Sequence, residues 1–510
     1  MLPFDELLVA VGEFGPYQKR LCMLSCITGI FFAFLYVGVV FLGSTPGHWC
    51  REPGGETIQE MCGWTEEEFR QLTVPRSTLG TFSSCQRFDV DWNITRVDCG
   101  NRQDDPSSLN NTRLAPCTNG WAFDPSLSTI VSEFQLVCEN AWQADLNQAF
   151  LNVGLLLGAL VIGYGADRYG RKLCFLISIF GFGISGIGMI FSPNYMVLLV
   201  IRIIQGVFGK GAWMSAYVLV TEIVGSDQRR LVGTVAQLFF TAGVIILPGI
   251  AYLIPSWKTL QFSITAPCFL FLCTIPQYPS ILLKRHCGLS LQTSADIPNL
   301  CFGHFSRFTS SVVYQGLIMR TGIVWGNLHL EFFITGVVEL PSALLFYLTV
   351  DWLGRRIPFA VSNIIGGLSC LATAFIPEDI SWLKTAIAII GRLGITLGFE
   401  IVYLISTELY PTTLRNLGVS VVSSLSDIGG IAAPFLLFRL ASVWTELPMV
   451  LYGLMSLIYG ALVFLLPETK GIDLPESTED IEALKSNLVT REEQNISTFA
   501  DYLNPLIKAR

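Results

Sequence analysis

The chain has 510 residues, of which 51% are hydrophobic and only 14% are charged. A soluble domain carries about 25% charged residues, so this composition excludes an ordinary soluble protein and indicates one that spans a membrane. The net charge of -8 does not indicate a charged macromolecular partner such as a nucleic acid, because much of the acid lies in one polar loop and in the C-terminal tail.

The first predicted element is a cytoplasmic N-terminus at 1–20, which is polar and mixed in charge and lacks the pattern of a cleavable signal peptide. A membrane-spanning helix is expected at 21–43, long enough to cross a hydrocarbon core of about 30 Å. A polar extracellular loop at 44–141 follows. The segment 142–275 then contains helices 2–6 of the N-terminal half, at 142–163, 173–191, 197–221, 231–254 and 258–275.

The second half of the chain repeats this organisation. A shortened cytoplasmic linker is expected at 276–301, and the C-terminal half at 302–466 contains helices 7–12. Those helices are predicted at 302–321, 328–350, 358–376, 382–406, 416–440 and 446–466. Residues 467–510 form a charged cytoplasmic tail.

The polar loop at 44–141 holds six of the fourteen cysteines and two glycosylation sequons, at Asn93 and Asn110. An even cysteine set beside acceptor sites is typical of a small extracellular domain closed by disulfides. The candidate disulfide cysteines are Cys50, Cys62, Cys85, Cys99, Cys117 and Cys138. Their pairing is not readable from the sequence, and a homo-oligomer formed through this loop stays open.

Charged turns recur at one spacing along the chain. The turn at 167–172 returns in the second half at 351–356, and the Thr-Glu pair at 221–222 returns at 407–408, displaced by almost the same length of chain. Two independent motifs that each recur after nearly the same number of residues indicate an internal duplication. Because cations beside apolar segments mark the cytoplasmic side, both termini are placed inside.

The same turns supply candidate gating charges, which could pair when the cytoplasmic helix ends meet and separate when they part. They are Asp167, Arg168, Arg171, Glu222, Arg229, Asp351, Arg355, Glu408 and Arg415. A surface ion pair is worth only about 0–1 kcal/mol, which suits a reversible latch. The alternative is that these charges only set the topology.

Signatures of enzymes are absent from the sequence. It contains no phosphate-binding Gly-Lys-Ser/Thr loop, no paired His/Cys metal spacing and no nucleophile elbow, and it has only four histidines. We therefore expect no enzymatic activity, no metal and no cofactor. What remains is a set of ionisable residues inside the expected helices, where charge is costly and marks a pathway or a partner.

Two of these ionisable residues are acids among aromatic neighbours. Asp427 has no cation within a turn of sequence, and Glu400 lies beside Phe399 and one turn before Tyr403. Carboxylates and aromatic rings suit an organic cation, because each cation–π contact is worth about 0.5–2 kcal/mol. We expect both acids to lack a fixed counter-charge. The alternative is a structural ion pair with another helix, for which the candidate cations are Lys210, Arg392 and Arg439.

Aromatic and polar residues also share helix faces in the first half. Phe32 and Tyr36 lie one turn apart in the first expected helix, as do Gln237 and Phe240 in the fifth. An aromatic stripe is more often packing or lipid-facing than a binding site. Convergence of these residues on one cavity is therefore a hypothesis that only a structure can test.

The fourth expected helix carries two further features. Lys210, Trp213 and Tyr217 form a stripe along it, and Arg202 precedes them. Arg202 and Arg392 occupy equivalent positions of the two halves. We interpret these two arginines as structural pairing or gating groups rather than substrate ligands.

Several motifs resemble those of the organic cation transporters of the major facilitator superfamily. They are Val11-Gly-Glu-Phe14, Val37-Gly-Val-Val-Phe-Leu-Gly43, Ser128-Thr-Ile-Val-Ser-Glu-Phe134, Leu136-Val-Cys138, Ala166-Asp-Arg-Tyr-Gly-Arg171 and Leu466-Pro-Glu-Thr-Lys-Gly471. Four more point to one subgroup of this family: Gly206-Val-Phe-Gly-Lys-Gly211, Leu247-Pro-Gly-Ile-Ala-Tyr252, Val337-Val-Glu-Leu-Pro341 and Pro411-Thr-Thr-Leu-Arg-Asn416. The resemblance covers nearly the whole chain outside 276–307 and the tail.

The resemblance implies an all-α membrane protein with the major facilitator fold, twelve transmembrane helices in two pseudo-symmetric six-helix halves and a disulfide-stapled extracellular loop. It also implies polyspecific, electrogenic facilitated transport of small organic cations, such as monoamines, across the plasma membrane by alternating access. Its site residues would be the acids Asp427 and Glu400, with Phe32, Tyr36, Lys210, Gln237, Phe240 and Tyr314 around the cavity. The acid at position 427 favours cations over anions.

Two departures from the family pattern keep alternatives open. The segment Pro276-Gln-Tyr-Pro279 lacks the acid and arginine usual there, and most of the charged central loop is missing. Arg307 stands where a cavity tryptophan is usual, and a cation there would repel a cationic substrate. The alternatives are an organic anion or zwitterion exchanger anchored by Arg307 and Lys210, and a transport-deficient splice form lacking the central loop.

Overall fold

The computed structural model describes residues 14–52, 60–75, 82–89, 113–224, 228–277, 297–324, 328–377, 380–409 and 415–465. In chain order, the first part comprises α1 (Pro16–Leu42), β1 (His48–Cys50), α2 (Glu66–Thr73), β2 (Gln86–Phe88), β3 (Leu114–Pro116), β4 (Trp121–Phe123) and α3 (Ile130–Phe134). Long helices then complete the first half: α4 (Ala141–Tyr169), α5 (Arg171–Ile190), α6 (Tyr195–Ile223), α7 (Arg229–Leu253) and α8 (Trp257–Thr265), which continues as a 3₁₀ helix at Ala266–Gln277.

The described residues of the second half form six further helices. They are α9 (Ile297–Val324), α10 (Leu328–Leu353), α11 (Arg356–Phe375), α12 (Ser381–Leu409), α13 (Arg415–Val443) and α14 (Leu447–Leu462), the last extended by a 3₁₀ turn at Val463–Leu465. Among the described residues, nine helices are long and apolar enough to cross a membrane, and α14 is a shorter apolar helix. Each expected span coincides with a helix, as the major facilitator fold requires.

The helix α9 forms although it is not one of the nine apolar helices. It begins at Ile297, before the expected 302, and its sequence is interrupted by His304, Ser306 and Arg307. Its packing explains its position, because Val312 is fully buried and Ser306 and Arg307 are nearly so. Ser306 and Arg307 therefore face the interior of the bundle rather than lipid.

The polar loop forms two short antiparallel ribbons, β1 with β4 and β2 with β3. Disulfides join Cys50 to Cys117 and Cys85 to Cys138. Cys62 is also disulfide-bonded, to a partner outside the described residues. These bonds confirm the disulfide-stapled loop, whereas the predicted positions Cys99, Asn93 and Asn110 lie outside the described residues.

The loop is fastened to the start of α8 on one side of the bundle. Trp257 Nε1 donates to Glu133 Oε2 at 2.7 Å, and Lys258 Nζ lies 2.7 Å from Glu133 Oε1. An isolated bridge also pairs Ser128 with Ser256. We call this side of the bundle the ribbon end, and the opposite side the far end.

The duplication is visible in the backbone of two turns at the far end. Gly170, between α4 and α5, has φ +97°, and Gly354, between α10 and α11, has φ +84°. A side chain with a Cβ is strained in this region, so glycine allows the sharp reversal that packs each helix pair. The two glycines are separated by the same length of chain as the charged motifs around them.

The two halves meet along α4 with α13 and along α7 with α10. A Cβ placed on Gly430 would lie 2.8 Å from Asn152 Oδ1, and one on Gly336 would lie 2.8 Å from Ile245 Cγ1. Glycines at such crossings let helix backbones approach closely within a membrane. The halves of the chain are therefore in direct contact through the middle of the bundle.

Nearer the ribbon end, aromatic residues close the contact between the halves. The Phe41 ring of α1 stacks on His329 of α10, with centroids 5.4 Å apart, and packs edge-on against Phe332 at 5.1 Å. Tyr252 of α7 contacts the same His329 at 5.7 Å. This arrangement joins the ribbon-end termini of α1 and α7 to the start of α10.

Candidate functional site

A buried ion pair joins the two halves in the middle of the bundle. Lys210 Nζ on α6 lies 3.0 Å from Asp427 Oδ1 on α13, and the two side chains are 9% and 7% exposed. The expectation that Asp427 lacks a fixed counter-charge is therefore wrong. The second carboxylate oxygen, Oδ2, is buried and has no hydrogen-bond partner among the described residues.

A second cation lies near the same carboxylate. Arg307 of α9 is 3% exposed, and its charge acts on Asp427 together with that of Lys210. Its Nη1 donates to the Phe399 carbonyl oxygen at 3.3 Å, and its guanidinium lies 4.9 Å from the centre of the Phe399 ring. Asp427 thus lies near two cations, and the Lys210 pair is the alternative that the sequence analysis named for this acid.

A different charge balance surrounds Glu400. This residue is half-buried on α12, and within the described ranges no hydrogen bond or ion pair is formed by its side chain. Its neighbour in space is a second acid, Glu339 of α10, whose charge acts on it. Glu339 Oε1 lies 2.7 Å from Arg392 Nη2, so Arg392 pairs with Glu339 and not with Glu400.

Aromatic rings of the second half lie between these charged groups. Tyr314 of α9 stacks on Phe399 of α12, with centroids 5.1 Å apart and planes inclined by 20°. The Tyr314 hydroxyl donates to Glu339 Oε1 at 3.4 Å, and Arg392 lies 5.3 Å from the Tyr314 ring centre. The charge of Glu400 also reaches the Tyr314 hydroxyl.

Aromatic rings of the first half form a matching cluster. Phe32 stacks on Trp213 of α6 with centroids 5.4 Å apart, on Tyr36 at 6.1 Å and against Phe240 of α7 at 6.2 Å. Gln237 is half-buried one turn before Phe240 on α7. The aromatic residues that the sequence analysis selected in the first half therefore pack together on one face of it.

Tyr36 connects the two aromatic clusters. Its hydroxyl bonds to Ser311 of α9 and lies in the field of Asp427, and it also interacts electrostatically with Tyr314. The structure therefore brings together residues of α1, α6, α7, α9, α12 and α13. The predicted residues in this group are Phe32, Tyr36, Lys210, Phe240, Tyr314, Glu400 and Asp427.

The sequence hypothesis missed Glu339. This acid is 1% exposed and supplies the partner of Arg392, one of the cations suspected of pairing with Asp427 or Glu400. A signal was present, because a carboxylate within the apolar eighth helix two residues before Pro341 is itself unusual. The third suspected cation, Arg439, acts instead on Asp145 of α4.

In the first half, Arg202 is the counterpart of Arg392, but an amide stands where Glu339 would be. Arg202 of α6 is 1% exposed, and it donates from Nε to Asn147 Oδ1 and from Nη1 to Gln205 Oε1, each at 2.8 Å. Asn147 precedes Glu339 by nearly the same length of chain that separates Arg202 from Arg392. The duplication thus preserves the arginine while an amide replaces the carboxylate.

The candidate gating residues lie at the far end, and three of their side chains are described. Arg171 and Arg355 are buried at equivalent positions of the two turns, and Arg355 Nη1 donates to the Val350 carbonyl oxygen at 3.4 Å. Arg168 is exposed and donates to the Tyr164 hydroxyl at 3.1 Å. For the remaining candidates the structure describes the backbone but not the side chain: Asp167, Glu222, Arg229, Asp351, Glu408 and Arg415.

Similarity to known proteins decides the family. The Major Facilitator Superfamily profile matches residues 118–284, and the profile described as Sugar (and other) transporter matches residues 301–481. Solute carrier family 22 member 3 of Mus musculus is 50% identical to the chain over an alignment of 539 positions, gaps included, which covers 96% of this chain and 97% of the relative. The chain belongs to solute carrier family 22, within its organic cation transporters.

Other members of solute carrier family 22 agree with this assignment. Member 2 of Rattus norvegicus is 43% identical and covers 95% of this chain and 96% of its own length. Member 2 of Homo sapiens is 41% identical, and the alignment covers 94% of this chain and 95% of the relative. The identity to member 3 confirms the narrower resemblance carried by the subgroup motifs, which is to the third organic cation transporter.

A solved structure confirms the fold of this solute carrier. The inward open xylose transporter XylE of E. coli superimposes with a TM-score of 0.61 at 15% identity, covering 92% of this chain and 99% of that one. The alignment with mouse member 3 has 539 positions, more than the 510 residues of this chain, so the relative has segments without a counterpart here. The chain is a multi-pass membrane protein of a transporter family.

Proposed function

We propose that this solute carrier moves small organic cations, such as monoamines, across the plasma membrane by electrogenic, facilitated uniport with alternating access. The observation that carries the proposal is the placement of Glu400. Its carboxylate has no cationic partner among the described residues, and it lies beside the stacked rings of Tyr314 and Phe399. An ammonium group meets there both an acid and aromatic faces.

Asp427 supports the same proposal in a different way. Its Oδ1 is held by Lys210, so a visiting ammonium must compete with the lysine or use the buried Oδ2. Because Lys210 belongs to α6 and Asp427 to α13, displacement of the lysine breaks a bond between the halves. Substrate binding would in this way weaken a contact that holds one state of the transporter, which is what coupling requires.

Uniport of a cation carries charge across the membrane. The membrane potential contributes about 2.3 kcal/mol per elementary charge per 100 mV, which corresponds to a roughly 50-fold accumulation of a monovalent cation. No second ion is required for that accumulation.

We propose that the ribbon end is extracellular and that both termini are cytoplasmic. Disulfides form in an oxidising compartment, which suits the ribbon end. Exposed cations gather at the far end beside helix termini, as at Lys19, Arg20 and Arg168, and this bias marks a cytoplasmic face. The far-end charged turns then act as a latch between cytoplasmic helix ends.

The test is uptake of a labelled monoamine in cells at controlled membrane voltage, comparing the wild type with Asp427→Asn at matched surface expression. We expect uptake that increases as the cytoplasm becomes more negative, and loss of uptake in the variant. Voltage-independent uptake would contradict uniport. Absence of uptake despite surface expression would favour the transport-deficient form.

A second candidate function is organic anion exchange. One observation favours it: two buried cations, Lys210 and Arg307, both act on Asp427. Anion uptake that survives Asp427→Asn, with no cation uptake in the wild type, is the result that would select this candidate.

A further inference from the structure

A buried arginine of the first half supports an inference that does not depend on the proposed cation site. Arg202 of α6 is 1% exposed, and its hydrogen-bond partners among the described residues are both amides. We propose that Arg202 and Asn147 of α4 together bind a small monovalent inorganic anion such as chloride. In this role the anion is a resident counter-charge for the arginine and not a transported substrate.

Two hydrogen-bond donors of this pair point to an anion. Arg202 donates from Nε to Asn147 Oδ1 and from Nη1 to Gln205 Oε1, each at 2.8 Å. Arg202 Nη2 and Asn147 Nδ2 are buried and have no acceptor in the part of the chain that the structure describes. Nε and Nη2 form one fork of a guanidinium, which matches the two oxygens of a carboxylate. Here the fork meets an amide instead, so Nη2 lies on the side of Nδ2, and one anion can accept from both donors.

The charge of Arg202 needs compensation where it lies. Its guanidinium belongs to a residue about 10 Å along α6 from Tyr195, the first residue of that helix, and a buried charge within a membrane is costly without a partner. The Tyr195 hydroxyl acts on this charge, but it is neutral and donates to the Gln143 carbonyl oxygen at 2.6 Å. Asp145, the nearby acid of α4, is acted on by Arg439 of α13. An anion supplies the negative charge that these groups do not.

The second half shows a counter-charge at the equivalent position. Arg392 Nη2 lies 2.7 Å from Glu339 Oε1, so this half carries its own carboxylate. In the first half the same nitrogen, Nη2 of Arg202, is the one without an acceptor among the described residues, and Asn147 replaces the acid. The proposed anion therefore stands where the second half has a carboxylate oxygen.

Thermal unfolding of the purified full-length protein, in nanodiscs of neutral lipid, tests the inference. Sodium chloride replaces sodium gluconate at constant ionic strength, because gluconate is too bulky to fit between two buried groups. We expect the unfolding temperature of the wild type to rise by about 2–4 °C, and to level off, as chloride reaches about tenfold its Kd. Asn147→Asp gives Arg202 a carboxylate, so this variant should unfold at the same temperature in both salts.

Two further variants complete the comparison. Asn140→Asp adds the same charge just before α4, beside Gln143 rather than Arg202, and should keep the wild-type response to chloride. Arg202→Gln removes the cation and should abolish that response, which provides a second test if Asn147→Asp does not fold. If chloride does not stabilise the wild type, or stabilises the wild type and Asn147→Asp equally, the anion inference is overturned. Either result leaves the proposed cation transport standing, because that proposal depends on Glu400.

Discussion

Lys210 Nζ and Asp427 Oδ1 lie 3.0 Å apart in the interior of the bundle, and they join α6 of the first half to α13 of the second. The two residues are 217 positions apart in the sequence. A link of this kind between the halves has to be remade or released whenever the halves move against each other. It therefore connects the stability of one conformation to the charge of whatever occupies the site.

Removing either partner of this pair should destabilise the protein unequally. A buried ion pair that loses one member costs about 3–5 kcal/mol. Asp427→Asn deprives both Lys210 and Arg307 of the carboxylate on which they act, whereas Lys210→Met leaves Asp427 with Arg307 still near it. We expect the larger fall in unfolding temperature from Asp427→Asn, measured on the purified protein in nanodiscs. The double variant should cost less than the sum, and a larger cost for Lys210→Met would contradict this arrangement.

Glu339→Gln should cost more stability than Glu446→Gln. Both acids lie 2.7 Å from a cation, but the side chains of Glu339 and Arg392 are 0% and 7% exposed, whereas those of Glu446 and Lys384 are 13% and 12% exposed. Because the unpaired Arg392 would be left without solvent, a loss of about 3–5 kcal/mol is expected for the first variant. If both variants lower the unfolding temperature equally, burial of the Glu339–Arg392 pair does not increase its contribution to stability.

Phe32→Leu should weaken binding of a quaternary ammonium ligand. The Phe32 ring contacts Trp213, Tyr36 and Phe240, so its loss disorders the aromatic face of the first half. One cation–π contact is worth about 0.5–2 kcal/mol, which corresponds to a roughly 2- to 30-fold weaker affinity. Phe191→Leu, at an exposed ring between α5 and α6, is the control and should leave binding unchanged. If the two variants weaken ligand binding equally, the aromatic cluster around Phe32 does not contribute to the binding site.

Asn147→Asp should stabilise the protein. Arg202 has only neutral hydrogen-bond partners among the described residues, Asn147 and Gln205, and its Nη2 is buried without one. A carboxylate at position 147 would give Arg202 the counter-charge that Glu339 gives Arg392, and a hydrogen bond to a charged group is worth about 1.5–3 kcal/mol. The comparison is Asn147→Ala, which should lower the unfolding temperature. If the aspartate variant melts as low as the alanine variant, the two arginines are not equivalent.

The helices and the duplication could be predicted from the sequence because they depend on local properties. A run of apolar residues long enough for a bilayer identifies each span, and Gly170 and Gly354 mark equivalent turns by their neighbours alone. Even α9, whose apolar pattern is weak, is predictable because its counterparts in the chain fix the count of helices. The aromatic pairs on one helix, such as Phe32 with Tyr36, follow from helical spacing.

The partners of buried charges could not be predicted in the same way. Which cation meets Asp427 depends on how α6 and α13 face each other, and no local pattern spans the distance between them. The pairing of Arg392 with Glu339 likewise requires the crossing of α12 and α10. The expectation of two free acids was wrong for Asp427 because the sequence shows a charge but not its neighbour across the bundle.

The most direct test of the account is the equilibrium affinity of the purified protein, in nanodiscs, for a labelled monoamine. Three forms are compared, the wild type, Glu400→Asp and Glu400→Gln, with thermal unfolding recorded for each. If Glu400 anchors the ammonium group, the glutamine variant binds at least tenfold more weakly, the aspartate variant lies between, and the unfolding temperatures agree. Wild-type affinity in a folded Glu400→Gln protein would contradict the central claim.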